Sequence, residues 1–214
     1  MKKYDLHIHT NFSPCSNIKP KEVLTLAKQR GLNGIAITDH NSIVGALEVK
    51  KINKDKKVEI IVGEEIKTEK CEILAYYLTK KINPGRFSEV IKEIRKQKAI
   101  AIIAHPFTML NIFRVKSSLL PNEWKLLDGV EVLNGRNLLS IENKKADIFA
   151  SRFNLAKIAG SDAHFRQEVG KCPTYFKSSF RLAIKNKKTF SKGNRKNAIF
   201  YRIKSAFLIK LKTF

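Results

Sequence analysis

Seven short, nearly continuous apolar runs punctuate the chain, and they constrain its fold more than any other feature. They lie at 4–8 (YDLHI), 34–38 (GIAIT), 58–62 (VEIIV), 72–78 (EILAYYL), 100–104 (IAIIA), 129–133 (GVEVL) and 155–159 (LAKIA). Runs of Ile, Val, Leu and Ala at this length read as strands covered on both faces. Helical patterns separate several of them, at 20–31, 41–52, 85–98 and 138–153. The first opens on Pro20 and stops at Gly31, and Asn41 or Ser42 suits the N-cap of the second. Strands alternating with helices predict an α/β chain built on a parallel sheet or barrel. A chain of 214 residues can bury one substantial core, and no internal repeat or low-complexity linker interrupts it before the tail.

Polar residues are placed systematically against these runs. His7 and His9 end the first, Asp39 and His40 follow the second, and Glu64 and Glu65 follow the third. His105 follows the fifth, Glu131 and Asn134 close the sixth, and Asp162 and His164 follow the seventh. All five histidines therefore sit at the strand ends where parallel α/β folds gather their functional groups. Each element alone is weak: an HxH is often incidental, and Asp39 in "TDH" could simply cap a helix. Jointly they point to one site.

Imidazole and carboxylate together suit Zn, Mn or Fe. His7 and His9, two apart on a strand, face the same side and can share an ion. Two or three such ions activate water and grip a phosphate. No GxSxG elbow and no GxxxxGK[ST] loop competes with this reading.

Charge adds a second theme. The net charge is +23, and no acidic residue occurs after Glu168. Such a field attracts polyanions. The end of the tail, "IFYRIKSAFLIKLKTF", has a pattern that suits an amphipathic helix. It would lie either on a membrane surface or packed on the domain with its lysines in water, and packing is the favoured placement. Cys15, Cys71 and Cys172 are odd in number and lack CxxC spacing, which suggests a reducing cytoplasm. No apolar run is long enough to span a membrane, and the start lacks a secretory h-region.

Six segments, "DLHIHTNFSPCS", "GLNGIAITDHNS", "VGEEIKT", "IIAHPF", "GVEVLNGR" and "AGSDAH", resemble, in order, the signature segments of the PHP (polymerase and histidinol phosphatase) superfamily. The likeness is nearest to its small stand-alone phosphoesterases and spans about residues 4–176. It implies a distorted (β/α)7 TIM-like barrel with a metal cluster, usually trinuclear, at the C-terminal rim. Residues 1–176 would form that barrel, and 177–214 a basic, helical extension packed on it. His7 and His9 would share one metal with Asp162. His105 would hold a second, and His40 and His164 a third. Glu65 matches the bridging carboxylate, with Glu64 the runner-up. Cys15 stands where many relatives carry aspartate or histidine, and its thiolate would suit zinc. Glu72 stands where several relatives carry histidine. Arg136 is the candidate for gripping a phosphate with its forked guanidinium, Arg166 is a second, and Asp39 would orient a ligand or move protons.

The expected activity is hydrolysis of a phosphate ester by a metal-activated hydroxide, with two or three divalent ions. The basic surface favours a nucleotide or short oligonucleotide. The alternatives are a phosphatase of the histidinol-phosphate type and a non-catalytic PHP binding module.

Overall fold

All seven apolar runs are strands in the computed structural model, which describes residues 1–108, 119–120, 122–193 and 197–212. They are β1 (Lys2–Ile8), β2 (Gly34–Ile37), β3 (Glu59–Lys67), β4 (Glu72–Tyr76), β5 (Ile100–Ile103), β6 (Gly129–Asn134) and β7 (Ala156–Gly160). Two short strands follow, β8 (Thr174–Phe176) and β9 (Phe190–Ser191). The helices are α1 (Pro20–Gln29), α2 (Val44–Ile52), α3 (Phe87–Lys96), α4 (Ser140–Arg152), α5 (Phe180–Lys185) and α6 (Ala198–Lys212). The tail helix expected from the sequence corresponds to α6. Part of the basic run "SKGNRKN" and the last two residues lie outside the described residues. Among the described residues, no helix is long and apolar enough to cross a membrane.

The strands form one sheet in the order β7-β6-β5-β4-β3-β2-β1-β8-β9. It curls until the segment after β7 meets β1: His9 N donates to Ala163 O at 2.9 Å, and Ala163 N to His7 O at 3.2 Å. The result is a nearly closed barrel, with seven strands as expected. One strand departs from the all-parallel expectation, because β4 runs antiparallel to both β3 and β5. Only residues 68–71 join β3 to β4, far too few for a parallel crossover. Thr68 closes this hairpin, accepting from Cys71 N at 3.0 Å through its hydroxyl. As a consequence Glu72, the first residue of β4, pairs with Lys67 and lies at the rim where β3 ends.

Two apolar layers hold the barrel. The inner one gathers Tyr4, Leu6, Ala36, Ile61, Leu74, Tyr76, Ile102 and Ile158 from the strands. Phe180, Ala183 and Ile184 of α5 close it from below. The Phe180 ring packs 5.6 Å from that of Phe176 and 5.7 Å from that of Tyr76. Burying an aromatic of this size contributes about 1.5–3 kcal/mol. The outer layer joins the other strand faces to α1, α2, α3 and α4. The strand phase changes near the upper rim: Leu6 faces the inner layer and Ile8 the outer one. The β1/β2 register shifts between Asp5 and Ile8, and the β6/β7 register shifts between Glu131 and Leu133. Such bulges re-aim side chains at barrel rims.

Helix α2 starts at Val44, after the two expected caps. Asn41 has a φ of 51°, outside the right-handed helical region, and its N–H is held by Glu65 O at 3.0 Å.

Glu64 is fully buried on β3. Its Oε2 accepts from Ile82 N at 3.0 Å, but Oε1 has no partner among the described residues. Burial pushes its carboxyl up to about 7 from an ordinary 4.5. The folded state therefore holds this proton more tightly than the unfolded chain, and stability falls as pH rises from about 4.5 through 7. Glu64→Gln removes that penalty. We expect the variant to gain roughly 2 kcal/mol, or about 4–8 °C in Tm, at pH 8 and nothing at pH 4. Thermal melts at the two pH values check this.

Candidate metal centre

At the upper rim the ends of β1, β2, β3, β5 and β7 converge on one carboxylate. Glu65 Oε2 lies 3.3 Å from His7 Nε2, 3.2 Å from His9 Nε2 and 3.1 Å from His40 Nδ1. Its Oε1 lies 3.0 Å from His105 Nε2. Asp162 Oδ1 stands opposite, 3.6 Å from His7 Nε2, 3.3 Å from His9 Nε2 and 3.4 Å from His164 Nδ1. The Nε2 atoms of His7 and His9 are 3.0 Å apart, a separation that leaves at most one proton between them.

The electrostatics follow from crowding. Burial alone would raise Glu65, but His7, His40 and His105 outweigh it and hold the carboxyl well below its usual range. Asp162 is likewise lowered, against burial, by His7, His9 and His164. Burial opposes protonation of His7, yet Glu131, Asp162 and Glu65 raise it well above its ordinary value. His164 is driven well below its ordinary value by burial and by Arg136. Burial pushes the Cys15 thiol up, with Asp162 and Glu65 adding to the shift.

This donor set fits divalent cations. His9, Cys15, His40 and His164 can each offer one atom to a group in which all lie within 4.8 Å of one another. So can His7, His105 and Asp162; His7, His9 and Glu65; and His40, Glu65 and Glu72. Nitrogen and sulfur in the first group favour zinc, while the carboxylate-rich groups also accept Mn or Fe. Sequence reasoning placed His9 with His7 and Asp162; the geometry also brings it to Cys15, His40 and His164.

A ring of supporting residues aims these donors. Glu131 Oε1 is 2.9 Å from His7 Nδ1, which fixes the ring and turns Nε2 toward Glu65. Glu131 Oε2 accepts from His105 N at 2.9 Å and from Asn134 Nδ2 at 3.0 Å. Asn134 Nδ2 also donates to Asp162 Oδ2 at 3.3 Å. The sequence places Glu131 and Asn134 at a strand end, but nothing in it reveals their roles, which arise from contacts with β1, β5 and β7. Asp162 (φ 53°) and His105 (φ 24°) adopt strained left-handed backbones, as residues fixed by a site often do. Gly160 is required by closeness: a Cβ there would sit 2.3 Å from His7 Cβ and 2.7 Å from Glu131 Oε1.

The remaining sequence candidates separate. Glu72 stands at the rim, its Oε2 3.9 Å from His105 Nε2. Glu64 points away from the cluster, toward Ile82. Asp39 does not line the cavity. Its carboxylate accepts from Thr10 N (2.7 Å), Thr10 Oγ1 (2.6 Å) and Ser13 Oγ (2.7 Å). Ser13 Oγ in turn is 3.4 Å from His9 Nδ1, so Asp39 positions His9 through one hydroxyl. Arg166 is also outside: its side chain is 61% exposed and pairs with Glu22 of α1 at 3.2 Å. Arg136 is buried at the cavity wall, but its Nη2 donates to Tyr201 O (2.7 Å) and Ser205 Oγ (2.9 Å) of α6.

The centre opens into a cavity of about 540 Å³. Cys15, His40, Glu65, Glu72, His105, Asp162 and His164 line its floor, while α6 forms the facing wall.

The PHP domain profile matches residues 5–166, and the chain belongs to the PHP domain family. An uncharacterized protein of Methanocaldococcus jannaschii is 37% identical over 161 residues, which cover 67% of this chain and 88% of that protein. A two-domain protein from Bacteroides vulgatus, containing a predicted PHP-like metal-dependent phosphoesterase, superposes with a TM-score of 0.72. That match has 19% identity and covers 95% of this chain and 69% of the other. A lesion-specific endonuclease from Pyrococcus furiosus superposes with a TM-score of 0.61 at 18% identity, covering 86% and 56% respectively.

Because Glu131 holds the tautomer of His7, Glu131→Gln should weaken metal binding by about 10–100-fold while the helix content stays unchanged. Competition titration against a chromogenic chelator, with circular dichroism alongside, measures both.

Proposed function

We propose that this protein is a metal-dependent phosphoesterase that hydrolyses a nucleotide or a short oligonucleotide. The observation that carries the reading is the meeting of five imidazoles, Cys15, Glu65 and Asp162 in one cluster, whose His40, His105, His164, Cys15, Glu65 and Asp162 line an open cavity. His7, His9 and Asp162 would hold one ion, His105 and Glu72 a second, and His40, His164 and Cys15 a third, with Glu65 shared between them. Bound divalent ions supply Lewis-acid stabilisation of phosphoryl charge and a more acidic water.

The chain's own residues set the geometry of that reaction. Glu65 and Asp162, lowered by the surrounding imidazoles, remain anionic and donate lone pairs across the neutral pH range. Asp39 and Ser13 fix His9, and Glu131 fixes His7. Among the described residues the bonds of Arg136 to α6 use Nη2, which leaves Nη1 for a phosphate oxygen. The nucleic-acid preference is supported by the net charge of +23 and by the fold shared with an endonuclease.

Protein purified without an affinity tag should carry two or three equivalents of Zn, Mn or Fe by elemental analysis, and Asp162→Ala should carry fewer. Chelation should lower hydrolysis of nucleotide and oligonucleotide substrates by at least about 100-fold, with recovery on metal addition. No metal bound, and none taken up on soaking, overturns the catalytic reading. Cys15→Ser should lower zinc affinity by about tenfold or more and affect Mn far less, because thiolate selects the softer ion. Parallel titrations with the two metals test that difference.

A further inference from the structure

We propose that Arg202 and the apolar side chains beside it on α6 form the substrate-recognition wall of this site. Arg202 would take a phosphate oxygen, and Ile199, Ile203 and Ala206 would cover a flat, weakly polar part of the leaving alcohol, such as the nucleobase of a nucleoside. The inference rests on the phosphoesterase reading and adds to it the part of the molecule that selects the substrate.

Three observations carry it. The first is where α6 lies. Ile199, Arg202, Ile203, Ala206 and Ile209 line the same cavity as His40, Glu65, Asp162 and His164. The cavity thus has a polar floor and a largely apolar wall, the composition of a site that orients an amphipathic ligand. Helix α6 lies beyond the matched PHP region, which ends at residue 166.

The second is the division of labour between two arginines. Arg136 spends Nη2 on Tyr201 O and Ser205 Oγ, and its Nε faces Glu168 Oε1 at 3.7 Å. These bonds fasten α6 to the rim. Arg202 is fastened by Nε alone, which donates to Arg136 O at 2.8 Å. Among the described residues, its two Nη atoms meet no acceptor and no carboxylate stands within ion-pair distance. A partly buried guanidinium held by one nitrogen, with its other two nitrogens uncommitted at a cavity wall, suits an incoming phosphate.

The third is the exposure of apolar surface that the fold does not need. Helix α6 docks through Ala198, Tyr201 and Ser205, which are buried. Ile199 and Ile203 are 62% and 67% exposed, and both line the cavity. Exposed aliphatic groups facing a polar centre gain by covering an apolar ligand surface.

The test uses full-length, metal-loaded protein and two non-hydrolysable probes, methylphosphonate and phenylphosphonate, titrated calorimetrically. The wild type should bind phenylphosphonate at least about tenfold more tightly than methylphosphonate. Arg202→Met should weaken both probes by about tenfold. Ile203→Asn, at an exposed position that does not threaten folding, should weaken phenylphosphonate alone. Wild-type affinities in Arg202→Met overturn the arginine's role, and an undiminished preference for phenylphosphonate in Ile203→Asn overturns the apolar wall. In both cases the phosphoesterase reading stands. A metal-loaded wild type that binds neither probe overturns that reading and this inference together.

Discussion

Glu65 is the residue on which the arrangement of the rim depends. A buried carboxylate is expensive unless cationic or hydrogen-bonding groups surround it. Here four imidazole nitrogens, from two strand ends and the His40 turn, lie within 3.3 Å of its two oxygens. His7 and His9, whose Nε2 atoms are 3.0 Å apart, cannot both be protonated there, so the cluster is rich in lone pairs that a cation can share. The peripheral structure can be read as a consequence. Strand β3 continues past the barrel interior to carry Glu65 to the rim, and the tight turn at Thr68 returns β4 with Glu72 beside it. The bulges in β1 and β6 turn His7 and Glu131 toward each other, where a regular strand would have kept the alternation of the lower barrel.

Much of this was legible in the chain because two signals coincide at the same places. Apolar runs report burial on both faces, and a histidine or carboxylate at the end of such a run has few reasons to be there apart from chemistry. Both signals are local, so the seven strands and the histidines at their ends are legible in the residues themselves, while Cys15, Glu72 and the preference for Glu65 over Glu64 come from the PHP resemblance. Direction and partnership are not local. The antiparallel course of β4 depends on how few residues precede it, while the roles of Glu131 and Asn134 depend on strands distant in sequence. Helix α5 is too short and too poorly patterned to announce itself, although Phe180 seals the barrel interior. Arg136 and Arg166 illustrate the same limit. Both stand near site motifs, but Glu22 neutralises one and α6 occupies the other, and neither partner is a sequence neighbour.

Charge is distributed so that the two halves of the chain do different work. Acidic residues are scarce, 19 against 42 basic ones, and two of them, Glu65 and Asp162, are buried among the histidines of the centre. Beyond Glu168 every charged side chain is basic, and this stretch includes the helix that faces the centre. A carboxylate-bearing donor cluster at the bottom of a cavity, facing a largely apolar wall that carries Arg202, has a defined polarity. Cations are retained at the floor, and anions are drawn to the mouth. Two fields of opposite sign would cancel if they were interleaved; separated by the width of a cavity, each keeps its own ligand. In the proposed reading the barrel holds the metal ions, and the C-terminal helix, tied to it through Arg136 and the Phe165–Tyr201 ring contact, selects the phosphorylated substrate.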